Sequence, residues 1–502
     1  MKPSGYIGLD VGTSGCKASV IDENGKTLVS ARREYRFEYP GKGMVELNPD
    51  TVWRCVKETL TEIGASGVEA KMIAVSSIGE AMVMLDDQDR VLRGGITYLD
   101  ERGPETIDMI RQKIDDNRLQ HITGLPLRVF FSLNRYLWLC EHEPETVKKT
   151  KRYFLFGDYI TYMLTGERMI DPSTASKTLM LDAFKLDWSR EIGDAFGVPL
   201  DRFPKVVPTG TIAGKIRESL AEETGLSKDL QVIVGCHDQC AATLGAGGVG
   251  EGDIAAGEGS TESLNLVVKK DKITDRFFER KICLEPYIQP GQYLVPVGQH
   301  VHGTSIRWFV NEFGADFGAG AKESSQSGKS VYEIANENCA ADSGEVFFLP
   351  YLTRANLMDA ENKSLGMFLG LEVGTDRAQM YRALLEGLCF ETKFCFDILD
   401  ATGFPIHKIV ATGGCSKSSL LMQMKADVLG RPVHILENAD AGISALAMMC
   451  AVADGTYGNY GEAAKVFVRT KHEYLPQRDY SEKYEKYRII LKTAKELYNK
   501  IS

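Results

Sequence analysis

The chain has 502 residues, of which 43% are hydrophobic and 25% charged, and its net charge is −10 at neutral pH. This length exceeds one ordinary hydrophobic core, so several domains are expected, and the acidic balance excludes the broad basic face that a nucleic-acid partner needs. The sequence shows no apolar run that could span a bilayer and no signal-peptide core, and its eleven cysteines lack disulfide-framework spacing. These features predict a cytoplasmic protein without membrane or nucleic-acid partners.

The N-terminal part alternates short strands, tight turns and helices. Strands at 6–11 and 17–22 and a third near Thr27 predict a meander. Asn48 is the expected N-cap of a helix with Pro49 at its first position. Further strands are predicted at 72–78 and 82–85.

The middle of the chain contains a strand at 231–235 that leads into Asp238 and a helix at 241–244. The glycine-rich run 245–250 fits G-x-G-x-x-G, but it follows a helix and precedes a strand, the reverse of the dinucleotide-binding context. We therefore interpret it as an interdomain turn. Later elements are predicted as helices at 376–399, 417–429 and 441–453, a strand running into the glycine pair at 413–414, and a charged helix from Ser481.

Two turns combine glycine with hydroxyl side chains, one at 12–14 and one at 259–261, nearly half the chain apart. The amides of such a turn can converge on an anion, and the hydroxyls add donors. A carboxylate beside that anion needs a cation between them, so Asp10 is a candidate Mg²⁺ ligand on a nucleotide phosphate. A plain hairpin whose Asp10 caps the turn is an equally weighted alternative. The two turns suggest two similar halves.

His300 and His302 alternate along a predicted strand. Because no third ligand accompanies them, packing or hydrogen bonding is favoured over metal binding.

Several segments together resemble the FGGY carbohydrate kinases, within the wider group of sugar kinases, Hsp70 chaperones and actin. The resemblance runs from Tyr6 to about Asp454, and no Walker A pattern occurs. In chain order, the segments are "GLDVGTSGCKASVID", similar to the first phosphate motif; "GCHDQCAATLGAG", similar to the segment with the catalytic base; "GEGSTESL", in the place of the second phosphate motif; "FLPYL" and "GMFLGLEVGTDRAQMYRALLEGLCF", typical of the family; and "ATGGCSKSSLLMQMKADVLGRPVHILENADAGISALA", similar to the adenosine motif and C-terminal signature.

The resemblance implies an α/β fold with two actin-like ATPase domains of ribonuclease H-like type, which flank a deep cleft for ATP and sugar. We expect an N-terminal domain at 1–245, with the sugar site, the first phosphate loop and the base. A C-terminal domain at 246–455 should carry the second phosphate loop and the adenosine site, and 456–502 should form a helical extension. The oligomeric state is left open, with a homodimer as one alternative.

The implied activity is ATP- and Mg²⁺-dependent phosphorylation of a hydroxyl of a small carbohydrate. A ketose, either a pentulose or a hexulose, is expected, with a glycerol- or erythritol-like polyol as the alternative. Gly79-Glu80 stands where xylulose kinases usually carry Gln-x-His-Gly, which argues against D-xylulose. A non-catalytic ATP- and sugar-binding sensor on the same fold is the competing class, and the presence of both Asp10 and Asp238 argues against it.

By the resemblance, Asp238 is the general base that accepts the proton of the attacking hydroxyl. A carboxylate of ordinary pKa suffices, because in a loose phosphoryl-transfer transition state the proton leaves late. Capping of the following helix is an alternative role that is compatible with catalysis. The candidate substrate-binding residues are Gly79, Glu80, Asp100, Arg102 and Gln239. For Asp100 and Arg102, a surface salt bridge is a nearly equal alternative.

The nucleotide-binding candidates come from both halves of the chain. They are Gly12, Thr13, Ser14, Lys17, Gly259, Ser260, Thr261, Gly303, Gly413, Gly414 and Ser418. Lys17 is the weakest of them, because it can point to solvent from its strand. Glycines permit close approach of the backbone to a nucleotide, so Gly414→Val is predicted to block ATP sterically.

Overall fold

The structure is a computed structural model that describes residues 3–299, 301–317, 321–353, 362–438 and 440–501. Two compact units interleave along the chain. The first comprises Met1–Gly250, Val267–Val295 and Asp440–Val468, and the second comprises Glu251–Leu266, Pro296–Ala439 and Arg469–Ser502. Segments that are distant in sequence thus complete each unit.

The secondary structure follows the α/β pattern expected from the sequence. The strands are β1 (Ser4–Val11), β2 (Gly15–Ile21), β3 (Thr27–Glu34), β4 (Glu46–Leu47), β5 (Glu69–Ser77), β6 (Met82–Leu85), β7 (Gly95–Ile96), β8 (Arg152–Leu155), β9 (Met169–Ile170), β10 (Leu181–Asp182), β11 (Asp187–Trp188), β12 (Lys205–Val206), β13 (Ile212–Lys215), β14 (Gln231–His237), β15 (Asp253–Glu258), β16 (Glu262–Lys269), β17 (Glu285–Pro286), β18 (Gln292–Gln299), β19 (Phe347–Leu349), β20 (Met367–Leu369), β21 (Lys408–Thr412), β22 (Val433–Leu436) and β23 (Thr470–Tyr474).

The α-helices are α1 (Pro49–Ala65), α2 (Thr106–Arg111), α3 (Asp116–Thr123), α4 (Ser132–His142), α5 (Pro144–Lys149), α6 (Phe156–Thr165), α7 (Pro172–Ser176), α8 (Arg190–Phe196), α9 (Glu218–Thr224), α10 (Asp238–Gly245), α11 (Asp275–Glu279), α12 (Gly303–Phe313), α13 (Ala321–Ser327), α14 (Val331–Glu337), α15 (Arg377–Asp400), α16 (Ser419–Leu429), α17 (Ala441–Ala453), α18 (Tyr460–Phe467) and α19 (Ser481–Ile501). Short 3₁₀ turns lie at Leu200–Arg202, Lys270–Lys272, Gly314–Phe317 and Cys415–Lys417.

The first unit is built on a six-stranded sheet in the order β13-β14-β5-β1-β2-β3. Strands β1, β5 and β14 run parallel, whereas β1-β2 and β2-β3 are antiparallel, as the predicted meander requires. Helix α1 buries Val52, Val56, Leu60 and Ile63, a helical spacing that places one apolar face in the core. Helix α17 packs close to β1, because a Cβ on Gly8 would lie 2.5 Å from the carbonyl oxygen of Ile443.

The second sheet has seven strands in the order β17-β18-β16-β15-β21-β22-β23, and from β23 back to β18 it repeats the strand order of the first sheet. Strands β15, β21 and β22 are parallel, β15-β16 is an antiparallel hairpin, and β23 pairs antiparallel with β22. The match of order and direction confirms the suggestion of two similar halves. In each sheet, a hairpin of the first two strands carries one glycine-hydroxyl turn.

Local sequence signals placed several elements correctly. The Asn48 side chain accepts hydrogen bonds from the amides of Asp50 and Thr51, which makes it the N-cap of α1. The predicted bounds 82–85 and 441–453 coincide with β6 and α17. Asp238, however, is the first residue of α10, and His237 holds the N-cap position, so the capping alternative for Asp238 is wrong.

Two further features bear on the sequence expectations. Among the described helices, none is both long and apolar enough to cross a membrane. All eleven cysteines fall within the described residues and none forms a disulfide.

Candidate active site

The carboxyl ends of three neighbouring parallel strands gather the acidic candidates of the first unit. Asp10 in β1 lies opposite Ser76 in β5, and Ser76 lies opposite Cys236 in β14. Gly79 and Glu80 follow the end of β5, and Asp238 directly follows β14. Ligands of open α/β sheets bind outside the carboxyl ends of the strands. The register therefore brings Asp10, the Glu80 loop and Asp238 to one edge of this sheet.

Asp10 is a half-buried carboxylate with one oxygen held by a neighbour. The Ser76 hydroxyl donates a hydrogen bond of 2.6 Å to Oδ1 of Asp10, and the described residues offer none to Oδ2. Burial raises the pKa of Asp10, with the nearby Asp440 acting in the same direction and Ser76 and Lys17 opposing it. Lys17 pairs with Asp440 instead of pointing to solvent. The free oxygen of Asp10 fits the role of a cation ligand, since Mg²⁺ prefers carboxylate oxygens.

The first glycine-hydroxyl turn is braced by a residue outside its motif. The amide of Gly12 donates to the carbonyl of Gly15 at 3.0 Å. The hydroxyl of buried Tyr35 approaches the carbonyl oxygens of Gly12 and Gly15 at 2.7 and 2.9 Å. Thr13 is half-buried and Ser14 exposed. Tyr35 lies at the start of the segment after β3, and no sequence signal connects it with this turn.

Asp238 is surrounded by groups that disfavour its charged form. Burial and the charges of Asp10 and Glu80 raise the pKa of Asp238 to about 7, against the opposing effect of Lys177. This value corrects the expectation of an ordinary carboxylate. His237 Nε2 lies 3.1 Å from Asp238 Oδ1. Burial and Lys177 hold the pKa of His237 well below its usual range, so its imidazole is neutral. Gln239 follows Asp238 in the first turn of α10.

A buried ion pair lies beside the substrate loop at Gly79 and Glu80, and the sequence did not predict it. Lys177 pairs with Glu285, and both side chains are almost fully buried. A Cβ on Gly79 would lie 2.5 Å from Cγ of Lys177, so glycine leaves room for the lysine stem. Burial raises the pKa of Glu80, with Lys177 opposing this effect. The phenol of Tyr98 has a raised pKa from burial and from the charges of Glu80 and Asp238, which identifies it as a near neighbour of both.

Asp100 and Arg102 form a salt bridge, but not at the surface. Asp100 is 4% exposed, and its carboxylate accepts hydrogen bonds from the amide of Val45 at 2.6 Å and from Nε of Arg102 at 2.9 Å. Arg102 also donates to Glu46 at 2.7 Å. The alternative of an exposed pair is therefore wrong. Direct sugar binding by these two residues stays a prediction, which their internal bonds do not favour.

The second glycine-hydroxyl turn connects β15 and β16 in the second unit. The amide of Gly259 donates to the carbonyl of Thr261 at 3.0 Å, and the turn is exposed. The amides of His302 and Gly303 donate to the carbonyls of Ser260 and Gly259 at 2.9 and 3.0 Å. A Cβ on Gly303 would lie 2.6 Å from the carbonyl oxygen of Gly259, so this packing requires glycine. Gly303 therefore supports the turn from the start of α12.

Five of the seven nucleotide candidates of the second unit line one cavity of about 480 Å³, whereas Thr261 and Gly413 are not among its lining residues. Gly259, Ser260, Gly303, Gly414 and Ser418 line it. Ser418 is the N-cap of α16 and receives a hydrogen bond of 3.0 Å from Asn336, which in turn accepts one of 3.0 Å from Tyr381. Neighbouring Gly413 has φ of +92°, and a Cβ there would lie 2.8 Å from the carbonyl oxygen of Glu258. A Cβ on Gly414 meets only open space.

His302 is fully buried and its Nε2 lies 2.7 Å from Oε2 of Glu258, but it takes the N-cap position of α12 and does not lie in a strand, whereas His300 lies outside the described residues.

Comparison with known proteins agrees with this architecture over nearly the whole chain. Residues 5–245 match the N-terminal domain of the FGGY family of carbohydrate kinases, and residues 260–453 match its C-terminal domain. A xylulose kinase from Bacillus subtilis is 26% identical over 98% of this chain and 96% of its own. A gluconokinase from the same organism is 25% identical, with 95% and 93% covered.

A solved structure of Plasmodium falciparum glycerol kinase with ADP superposes with a TM-score of 0.87 over 99% of both chains at 19% identity, which shows a common fold. The chain therefore belongs to the FGGY family of carbohydrate kinases, phosphotransferases that act on a sugar hydroxyl.

Proposed function

We propose that this kinase transfers the terminal phosphoryl group of ATP to a hydroxyl of an uncharged ketose or polyol, with Asp238 as the general base. The observation that carries the proposal is the placement of Asp238 beside Asp10 and Glu80 at the carboxyl ends of three parallel strands. Each of the three carboxylates then has one role, in which Asp238 takes the proton, Glu80 binds hydroxyls, and Asp10 holds a metal ion.

The environment of Asp238 suits a base that works near neutral pH. A pKa of about 7 leaves part of its population ionised at pH 7 and makes it a stronger base than an ordinary aspartate. His237 Nε2 lies 3.1 Å from this carboxylate, and its neutral imidazole adds no charge that would lower the pKa of Asp238. Proton transfer from the attacking hydroxyl to Asp238 leaves the alkoxide oxygen to bond to phosphorus as the bond to ADP breaks. Positioning of this carboxylate is the chain's main contribution to the step.

The charges at the sugar side favour a neutral substrate. Two cations act on Glu80: Lys177 is paired with Glu285, and Arg135 donates hydrogen bonds to the backbone carbonyls of Asp100 and Arg102. Asp238 and Glu80 each add a carboxylate, and no side chain of the described residues donates a hydrogen bond to the carboxylate of Glu80. A substrate carboxylate, as in an aldonic acid, would meet like charge here, whereas sugar hydroxyls can donate to these acceptors. The charges around the proposed sugar site therefore favour an uncharged substrate over an aldonic acid, although a gluconokinase is among the relatives.

In the second unit, the nucleotide candidates are the 480 Å³ cavity and the turn at 259–261 beside it. The cavity falls within the usual size range of small-ligand pockets, about 300–1,000 Å³, and we assign the adenosine to it. The amides of both turns and the hydroxyls of Thr13, Ser260 and Thr261 are donors for phosphate oxygens. Asp10 would hold Mg²⁺, which neutralises charge on the transferring phosphoryl group when it is bound.

We also propose a cytoplasmic location. Eleven cysteines without a disulfide suit a reducing compartment.

The test is release of ADP by the purified protein with Mg-ATP across ketopentoses, ketohexoses, deoxyketoses, polyols and aldonic acids. We expect turnover on an uncharged compound and a loss of about 10²–10⁴-fold in kcat for Asp238→Asn. Asp116→Asn, at a surface pair with Arg111, is the matched control and should retain full activity. Turnover that survives in Asp238→Asn would remove the base assignment, and strong turnover on an aldonate alone would remove the substrate assignment. ATP binding without turnover on any compound would favour the sensor.

A further inference from the structure

A buried charge cluster lies directly behind the second glycine turn, and the proposed chemistry does not use it. Lys425, in the middle of α16, pairs with both Glu258 and Glu262, the residues immediately before and after the turn at 259–261. His302 Nε2 lies 2.7 Å from the other oxygen of Glu258. None of these four side chains is more than 2% exposed. The two ends of the turn are thus joined through one lysine.

Lys425 and Glu258 are ionised in the folded protein. Burial lowers the pKa of Lys425, but Glu258 and Glu262 raise it further, and the net result is a raised pKa. Burial raises the pKa of Glu258, but Lys425 and His302 more than reverse this effect. Lys425 therefore carries its positive charge in a fully buried position, where an unpaired ammonium would be strongly destabilised.

Neutral donors complete the coordination of the carboxylates. Thr392 donates to Glu262 at 2.9 Å and Gln299 donates to it at 2.7 Å. The oxygens of Glu258 and Glu262 and the nitrogen of His302 lie close enough together to hold a metal ion. The ammonium group of Lys425 contacts the same carboxylates. The chain itself therefore supplies the cation that cross-links the hairpin to α16.

The other contacts of the turn with distant segments are uncharged. The side chains of Ser260 and Thr261 are exposed, and the carbonyls of the turn accept hydrogen bonds from backbone amides at the start of α12, from the hydroxyl of Thr304 at 3.1 Å and from the thiol of Cys415 at 3.7 Å. Gly303 and Gly413 permit this close packing. Glu258 and Glu262 add the charge-assisted contacts that join both ends of the turn to the middle of α16. The N-cap of α16, Ser418, lines the same cavity as Ser260.

We propose that Lys425 is a positioning residue that holds the second glycine turn in register with α16, so that the turn's amides meet the phosphates of a nucleotide whose adenosine lies in the cavity. The inference rests on the proposed function. It assigns Lys425 no contact with ATP. Its effect is on phosphate recognition through the turn and not on adenosine binding.

Calorimetric titration of Lys425→Met with Mg-ATP and with adenosine, each without sugar, tests this role. We expect the affinity for Mg-ATP to fall by about tenfold or more, as for the loss of charge-assisted phosphate contacts, and the affinity for adenosine to stay within about twofold. In turnover assays the KM for ATP should rise while the KM for sugar stays unchanged. Lys425→Arg keeps the charge and should restore part of the ATP affinity. Equal losses for ATP and adenosine, or unchanged ATP affinity, would overturn the proposal.

A matched control separates positioning from general stability. Arg382→Met removes the cation of another buried pair in the second unit, with Glu386 at 3.0 Å, that does not contact the turn. It should lower the melting temperature while leaving the ATP affinity unchanged.

Where Lys425→Met fails to fold, Thr392→Val weakens the same cluster by one hydrogen bond and should reduce the affinity for ATP but not for adenosine. A wild-type protein that does not bind ATP would defeat the proposed function, whereas ATP binding that Lys425→Met and Thr392→Val leave intact would defeat only this inference.

Discussion

The two glycine-hydroxyl turns have the same local design but different surroundings. Each connects an antiparallel hairpin, and each comes shortly after an acidic residue, Asp10 in one case and Glu258 in the other. Asp10 is half-buried and bonded to Ser76, while the neighbouring Lys17 pairs elsewhere. Glu258 is fully buried and paired with Lys425, and His302 lies 2.7 Å from its other oxygen. Similar residues in similar turns thus have different surroundings: Asp10 accepts a hydrogen bond at one oxygen, whereas Glu258 is buried in a charge cluster.

The bracing of the turns differs in the same way. A neutral hydroxyl, that of Tyr35, bonds to the carbonyls of the first turn. A buried cation joins the two ends of the second. A neutral hydrogen bond contributes about 0.5–1.5 kcal/mol, whereas removal of one partner of a buried ion pair costs about 3–5 kcal/mol. Loss of the brace should therefore cost more stability at the second turn than at the first.

The largest effect is expected from Asp10→Asn. The amide keeps the shape and the bond to Ser76 but loses the charge that a metal ligand needs, so kcat should fall by about 10²-fold or more. Steady-state kinetics at saturating Mg²⁺ measures the loss. The melting temperature should not fall, because the substitution removes a buried charge. Near wild-type activity would mean that Asp10, like Glu258, has a structural role and is not a metal ligand.

Glu262→Gln should produce the opposite pattern. It removes one of the two carboxylates that compensate buried Lys425, and we expect the free energy of unfolding to decrease by about 3 kcal/mol. Urea denaturation followed by circular dichroism provides the measurement. Glu345→Gln, at an exposed pair with Lys486, is the control and should cost about 0–1 kcal/mol. Equal effects of the two substitutions would remove the distinction between framework and surface charges.

Gly414→Val tests the cavity next to the second turn. Gly414 has φ of −67°, and an added Cβ has open space, so the variant should fold normally. The side chain would occupy the cavity, and the KM for ATP should rise by about tenfold or more, as expected when a ligand loses its packing space. Kinetics together with a thermal melt decide the outcome. A folded variant with unchanged ATP affinity would refute the adenosine assignment.

The pH dependence distinguishes the charges near the first turn from those behind the second. Asp238 must be deprotonated to act, so kcat/KM should increase with pH through about 7. Glu80 raises the pKa of Asp238, and Glu80→Gln should therefore move the acidic limb to lower pH. Glu262→Gln should leave that limb in place, since Glu262 is not among the charges that act on Asp238. If Glu80→Gln does not shift the pH at which kcat/KM rises, ionisation of Asp238 does not control this rise.

Tyr35→Phe should have the smallest effect. It removes the hydroxyl that contacts the carbonyls of Gly12 and Gly15, and we expect a loss of about 1 kcal/mol in stability with a few-fold rise in the KM for ATP. Denaturant titration and initial rates detect both changes. An unchanged KM would mean that the hairpin holds the first turn without Tyr35.

The sequence by itself determined the features that depend on neighbouring residues. Asn48 and Pro49 predicted the start of α1, the apolar run at 441–453 predicted α17, and the two glycine turns indicated a repeated hairpin. The motifs around Asp10, Asp238 and 413–418 identified the family because their residues lie close together in the chain. Capping, turn chemistry and helical spacing are short-range effects, and a single segment contains all the information they need.

Only the tertiary structure decided which partners the charged residues have. Lys177 meets Glu285, Lys425 meets Glu258, and Tyr35 reaches back to Gly12, and in none of these pairs does one residue's segment indicate the other. The raised pKa of Asp238 has the same origin, because desolvation and the charges of Asp10 and Glu80 arise only when three strand ends meet. Burial and charge pairing are long-range properties of the packed chain, and they determine which of its carboxylates bind a ligand and which hold the framework together.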